Sequence, residues 1–201
     1  DWSSDVCSSD LGLYHFFKNA GLNPTVISPT NWADFLSWMP GMENVVDFEN
    51  TKQHANEIIQ HANWIFCLDF NHLSRTRFME ESLLSSAAKK VLIDHHREPQ
   101  LDVFEYGISD ISKSSTSEMV YDFIMSTDKS NFINKEVSTC LYAGVMADTG
   151  SFRFPSTTSS VHHMVAHLKG FDIQHSKIHA AIYDNFQENR LDRKSTRLNC
   201  S

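Results

Sequence analysis

Three apolar runs in this chain each end on an aspartate. Trp64-Ile65-Phe66-Cys67-Leu68 runs into Asp69, Val91-Leu92-Ile93 into Asp94, and Tyr142-Ala143-Gly144-Val145-Met146-Ala147 into Asp148-Thr149-Gly150. Asp94 is followed at once by His95 and His96. A short apolar run rich in β-branched or aromatic residues, cut off by polar ones, reads as a buried strand leaving its sheet. Three carboxylates at the ends of three buried elements, one beside two imidazoles, point to a metal site at the carboxyl edge of an open α/β sheet.

The segments between these runs supply the helices such a sheet needs. From Leu11, apolar residues at 13, 16, 17 and 20 share one helical face, and Gly21 is a C-cap signal. A short strand around Thr25-Val26-Ile27 follows almost directly, so this helix is the second half of a strand–helix–strand unit whose first strand is not visible. Residues 35–41 form an apolar loop or short helix stopped by Pro40-Gly41, and 45–48 a further short strand. Helices are expected over 51–62 and 77–88, with an edge strand over 102–109. Ser115-Thr116-Ser117-Glu118 is a capping box opening a helix to about Met125. Residues 134–147 form another helix leading into Asp148. Ser156-Thr157-Thr158-Ser159 caps a helix to Leu168 stopped by Gly170, and a last helix spans 174–185. Strands alternating with helices make the fold class α/β, a doubly wound, mainly parallel sheet flanked by helices.

The 201 residues, 41% of them hydrophobic, suffice for one ordinary core. No apolar run approaches the ~20 residues that span a bilayer, so no membrane partner is expected. A formal charge of -8 argues against wrapping long duplex nucleic acid, which draws its affinity from many lysine and arginine contacts with phosphate. It leaves room for a small phosphorylated ligand held through metal ions. Cys7, Cys67, Cys140 and Cys200 are scattered without a Cys-x-x-Cys pair, which makes a reducing, cytoplasmic setting the expectation.

Residues 1–10 and 193–201 show neither helical nor strand period and resemble translated sequencing adapter. They are expected to be foreign tails around a catalytic domain over 11–192 that is truncated at its N-terminus.

Carboxylates and imidazole without thiolate suit Mn²⁺ or Mg²⁺, the nitrogen ligand favouring Mn²⁺. Two ions would need a bridging carboxylate and more ligands than these three runs provide.

Asp94-His95-His96 after a strand, the strand-end Asp69 upstream and Asp148-Thr149-Gly150 downstream resemble the DHH phosphoesterase superfamily. The wider pattern is similar to its nanoRNase and pAp-phosphatase branch. It includes 12–16, 35–41, Leu68-Asp69-Phe70-Asn71 with Ser74-Arg75, Ser114-Ser115-Thr116, and 148–153. That resemblance covers nearly all of 11–192. It implies a hydrolase using two Mn²⁺ ions, Mg²⁺ being an alternative, to activate water on a phosphoester. The substrates it implies are short oligoribonucleotides and 3′-phosphoadenosine 5′-phosphate. By position, Asp69 would bridge the ions and His95 and Asp148 would bind one. Asp94, His95 and His96 make up the catalytic motif, with Asp94 and His96 orienting ligands or meeting the substrate phosphate. The family's first motif, a histidine followed by Asp-x-Asp before the first helix, would fall where Ser8-Ser9-Asp10 stands. Its C-terminal substrate-binding domain is not recognisable either, so the chain alone is expected to be inactive. A homodimer is a further partner the resemblance leaves open.

Several residues keep two readings. Arg153 and Arg75 are either phosphate-binding or ordinary surface arginines. Ser115 and Thr116 cap a helix whose N-terminus would also attract phosphate. His162, His163 and His167 read as a solvated helix face, and Phe35 and Trp38 as core. Related hydrolases of cyclic dinucleotides, pyrophosphate or polyphosphate are the alternatives within the enzyme class. A catalytically silent nucleotide-binding module is the alternative outside it. A flavodoxin-like domain with an incidental Asp-His-His is a third, blander reading, in which nucleotide binding has no support because no glycine-rich phosphate loop follows any visible strand.

Overall fold

In the centre of the molecule, β3 (Trp64–Leu68) and β4 (Lys89–Asp94) run parallel, registered from Trp64 opposite Lys89 to Leu68 opposite Ile93. The structure is a computed structural model and describes residues 4–32 and 36–184, so the terminal segment 193–201 and Phe35 lie outside the described residues. β5 (Tyr106–Ser109) adds a parallel edge from Val91 opposite Tyr106 to Asp94 opposite Ser109.

Side chains on a strand alternate faces, and here both faces are apolar. Leu68 and Ile93 join one core with α1 (Ser4–Asn19), α4 (Thr116–Met125) and α5 (Lys135–Asp148). Their neighbours Cys67 and Leu92 join a second core with α2 (Lys52–His61) and α3 (Glu80–Ser85). Helices thus cover the sheet on both sides, which is the doubly wound arrangement expected. Each fully buried Leu or Ile contributes about 1.5–3 kcal/mol of transfer free energy to holding these layers together.

The helix boundaries follow local chemistry. Asn134 accepts from Val137 N–H at 3.0 Å to start α5, and Ser115 accepts from Glu118 N–H at 3.0 Å to start α4. α6 (Ser159–Lys169) ends at Gly170, and α7 (His175–His179) continues through a wider turn over Ala180–Asp184. The third helix is shorter than 77–88. Leu73–Met79 is 3₁₀, Arg77 breaks it with φ 56°, and α3 stops at Ser85. The stop has a cause. Ser86 Oγ donates to Ile59 O at 3.0 Å, while the nearly buried Lys90 ammonium donates to the carbonyls of Ser86 and Ala88. Those carbonyls are thereby withdrawn from any further helical turn.

α1 begins at Ser4, before the point where the periodicity starts, and Ser8 and Ser9 are fully buried. It packs on α5 so closely that a Cβ on Gly12 would lie 2.5 Å from Leu141 Cδ2. A second difference concerns the sheet. Among the described residues the strands form two parallel sheets: β3–β4–β5, and β1 (Ile27–Ser28) paired with β2 (Val46–Asp47).

Candidate metal centre

β3 and β4 end side by side, and the residues that follow them build the site. Asp69 extends the ladder by one bond, its N–H donating to Ile93 O at 3.2 Å, and then turns into the left-handed region with φ 62°. Aspartate tolerates that conformation better than most residues. Its carboxylate is nearly buried and accepts from Thr116 Oγ1 at 2.7 Å, at the first turn of α4. Thr116 is therefore the residue that orients Asp69, while the Ser115 hydroxyl is taken up by capping.

Asp94 is completely buried. It accepts from His96 N–H at 3.1 Å and from His96 Nδ1 at 2.7 Å, so one carboxylate holds that residue by backbone and ring together. A histidine tied through Nδ1 presents Nε2 as an acceptor, which is how carboxylates orient metal-binding imidazoles. His95 is held differently. Its Nδ1 lies 3.3 Å from Lys113 O, an acceptor only, so Nδ1 carries a proton and Nε2 is the nitrogen left facing the site.

His95 Nε2 stands 3.5 Å from Asp69 Oδ1 and 3.8 Å from Asp148 Oδ2. A ring nitrogen this close to two carboxylate oxygens is held there by a shared positive charge, either a proton on the ring or a metal cation among the three. Ligand bonds of about 2.0–2.2 Å at angles of about 90–120° set ligand atoms about 2.8–3.8 Å apart, which matches these separations. Among the described residues, one group of potential ligands converges tightly: Asp69, His95 and His96, with one ligand atom each within 4.8 Å of one another. The donor set fits a divalent ion of the Mn²⁺ or Mg²⁺ type. Burial pushes the Cys67 thiol, two residues before Asp69, up to about 12, with the Asp10 carboxylate adding to the rise, so it offers no competing thiolate.

Asp148 closes α5, and the chain after it is strained. Gly150, Ser151 and Phe152 all have left-handed φ, at 57°, 62° and 65°. Ser151 N–H donates to Met146 O at 2.8 Å, and Phe152 N–H to Thr149 Oγ1 at 3.1 Å, which holds the turn. Gly150 takes its left-handed φ of 57° without the strain a side chain would add, and a Cβ there would lie 2.4 Å from the Phe154 ring and displace it. Left-handed residues other than glycine cost about 1–2 kcal/mol each, and such strain persists where the surroundings over-determine it.

Behind His95 and Thr116 lies a buried polar network that sequence reasoning caught only as a capping box. Glu118 Oε2 accepts from Ser114 N–H at 2.8 Å and Ser114 Oγ at 2.7 Å, and Oε1 accepts from Ser160 Oγ at 2.8 Å. Burial alone would push the Glu118 carboxyl up. The Ser114 and Ser160 hydrogen bonds and the Lys113 ammonium outweigh it and hold the carboxyl below its ordinary value. Lys113 also pairs with Asp122, and its backbone carbonyl is the one that fixes His95. The glutamate was signalled by the Ser-x-x-Glu spacing. The Lys113 carbonyl and the Thr116–Asp69 bond had no sequence signal, since they join residues far apart in the chain.

The two arginines are less engaged. Arg75 and Arg153 are exposed, and among the described residues neither forms an ion pair. The Arg153 guanidinium lies 5.6 Å over the Phe154 ring, in the turn after Asp148. His162, His163 and His167 are exposed on α6, with His167 Nδ1 2.9 Å from Tyr121 Oη, as a solvated face requires. Trp38 packs against the core.

Residues 3–145 match the family model described as DHH family, N-terminal domain. The chain is 29% identical over 183 residues to the bifunctional oligoribonuclease and PAP phosphatase NrnA of Bacillus subtilis (strain 168), covering 90% of this chain and 53% of that protein. It is 32% identical over 177 residues to the Thermus thermophilus protein of the same name, covering 87% of this chain and 48% of that one. The crystal structure of an exopolyphosphatase-related protein from Bacteroides fragilis superposes with a TM-score of 0.92 at 34% identity, covering 98% of this chain and 58% of that chain. The chain thus spans about half the length of the curated relatives it matches.

Proposed function

This chain belongs to the DHH family, and we propose that in its full-length protein it forms the metal-binding half of a phosphoesterase acting on short oligoribonucleotides and 3′-phosphoadenosine 5′-phosphate. The observation that carries the reading is the convergence of His95 Nε2 with two carboxylate oxygens, at 3.5 Å from Asp69 and 3.8 Å from Asp148. The substrate class comes from relatives named as bifunctional oligoribonucleases and PAP phosphatases.

Asp69, His95 and Asp148 would hold one ion, and Asp69 would be the carboxylate shared with a second. Bound Mn²⁺ or Mg²⁺ supplies Lewis-acid polarisation of the phosphoryl oxygen and makes a water nucleophilic near neutral pH. The chain's own residues do the rest. Thr116 fixes the Asp69 carboxylate, and the Lys113 carbonyl keeps the His95 proton on Nδ1. Asp94 holds the His96 ring by Nδ1, and its Nε2 would meet the substrate phosphate or the ion. Arg153, exposed in the turn that follows Asp148, would take a phosphate oxygen.

The test uses the full-length protein with short oligoribonucleotide, 3′-phosphoadenosine 5′-phosphate and polyphosphate as substrates, with Mn²⁺ or Mg²⁺. His95→Ala and Asp69→Asn are expected to lose at least about a hundredfold in metal-dependent turnover, the scale on which disturbed metal shells act. Full activity in His95→Ala would refute the reading. A second reading, polyphosphate hydrolysis, is favoured by the exopolyphosphatase-related structural relative. Turnover of polyphosphate with none of either nucleotide substrate would select it.

A further inference from the structure

The Lys113 carbonyl that meets His95 Nδ1 and the Ser114 N–H that donates to Glu118 belong to one peptide unit. That unit is planar and trans, so its N–H and C=O point in opposite directions. His95 therefore stands at one end of the plane, at 3.3 Å, and the Glu118 carboxylate at the other, at 2.8 Å. A carboxylate has about four lone-pair sites, and the buried Glu118 fills them. Oε2 accepts from Ser114 N–H and from Ser114 Oγ at 2.7 Å. Oε1 accepts from Ser160 Oγ at 2.8 Å and from Lys113 Nζ at 3.3 Å. A capping box would spend this carboxylate on the backbone N–H of the cap residue, Ser115. Here it takes the N–H of Ser114 instead and reaches across to the first turn of α6.

From this arrangement we infer that Glu118 is a positioning residue of the metal centre, acting on His95 through the Lys113–Ser114 peptide plane. The inference rests on the metal-binding reading of Asp69, His95 and Asp148 given above. A metal-binding imidazole is oriented by a carboxylate or a carbonyl on its other nitrogen, which also makes it a stronger ligand. Asp94 does this for His96 by direct contact. His95 has a carbonyl, and behind that carbonyl a carboxylate. Negative charge on the N–H side of a peptide polarises the whole unit, so its carbonyl accepts more strongly, and hydrogen bonds in such a chain reinforce one another. The plane is also held against rotation, because Glu118 is anchored through one oxygen to Ser114 and through the other to Ser160 at the start of α6. Thr116, on the same helical turn as Glu118, carries the hydroxyl that orients Asp69. One buried carboxylate thus supports both the segment behind His95 and the turn behind Asp69. Helix capping alone does not account for it, since Ser115 Oγ accepts from the Glu118 N–H whatever the Glu118 side chain does.

The test uses the full-length protein and two measurements, each made where every variant is fully folded. One is Mn²⁺ affinity by isothermal titration. The other is the imidazole nitrogen NMR spectrum of the metal-free protein, with His95 assigned by comparison with His95→Gln. Glu118→Gln keeps the size of the side chain and removes its charge. It is expected to bind Mn²⁺ about 10–100-fold more weakly and to move the His95 Nδ1 resonance. Ser114→Ala, which removes the hydroxyl and keeps the N–H, should lose a smaller part of the affinity. Ser86→Ala removes a buried hydrogen bond to Ile59 O in the other core and should leave both readings at parental values. Parental affinity or an unmoved His95 resonance in Glu118→Gln would overturn the proposal. So would an equal loss of affinity in Ser86→Ala, because general destabilisation would then be the cause. Parental Mn²⁺ affinity in His95→Gln would instead overturn the metal reading beneath it, a result distinct from either of these.

Discussion

Replacing Thr116 with valine keeps the shape of the side chain and removes a hydroxyl that donates to Asp69. That bond is 2.7 Å long between two buried residues, and its acceptor is a carboxylate. Hydrogen bonds to charged groups are worth about 1.5–3 kcal/mol, and a buried acceptor stripped of its donor forfeits that amount. For a chain of this size each kcal/mol moves Tm by about 2–4 °C, so Thr116→Val should melt about 3–12 °C below the parent without metal. The loosened carboxylate should also bind Mn²⁺ about 10–100-fold more weakly, the usual cost of losing a residue that orients a ligand. Differential scanning calorimetry reads the first number and isothermal titration the second. Thr116→Ser, which retains the donor, should lie close to the parent in both. A Thr116→Val protein with parental Tm and parental Mn²⁺ affinity would show that the hydroxyl does not position Asp69.

Two further predictions concern stability. Glu118 has a folded-state carboxyl held below its ordinary value, so its contribution is fully present above the unfolded carboxylate pKa of about 4.3 and is lost as pH falls through the lower folded value. Urea unfolding of the parent and Glu118→Gln should accordingly show a gap at pH 7 that narrows in acid, and an unchanged gap at about pH 3 would contradict the sign. Gly12→Ala would drive a methyl to 2.5 Å from the fully buried Leu141 side chain. Overpacking of about 1–3 kcal/mol outweighs most or all of the helix-propensity gain of about 1 kcal/mol, so a net loss is expected, and a stabilised variant would refute the close α1–α5 approach.

The local alphabet of this chain was legible before any folding. The runs ending at Asp69 and Asp94 became adjacent parallel strands, as short apolar runs buried on both faces do in a parallel sheet. Asn134 and Ser115 started helices where capping chemistry required it. Asp94 and His96 are two residues apart, so their contact was written into the chain. Helix α3 was harder to read, because its end is set by Lys90 reaching back to the carbonyls of Ser86 and Ala88, a competition no periodicity records.

What only the tertiary structure decided is which distant groups share a volume. Asp69, His95 and Asp148 come from three elements, and Thr116 reaches Asp69 across 47 residues of sequence. The Lys113 carbonyl that holds the His95 ring is a backbone group every residue possesses, so no side-chain pattern could single it out. Residue types set which contacts are chemically favourable. The packing of α1, α4 and α5 over one sheet face determined which of them form.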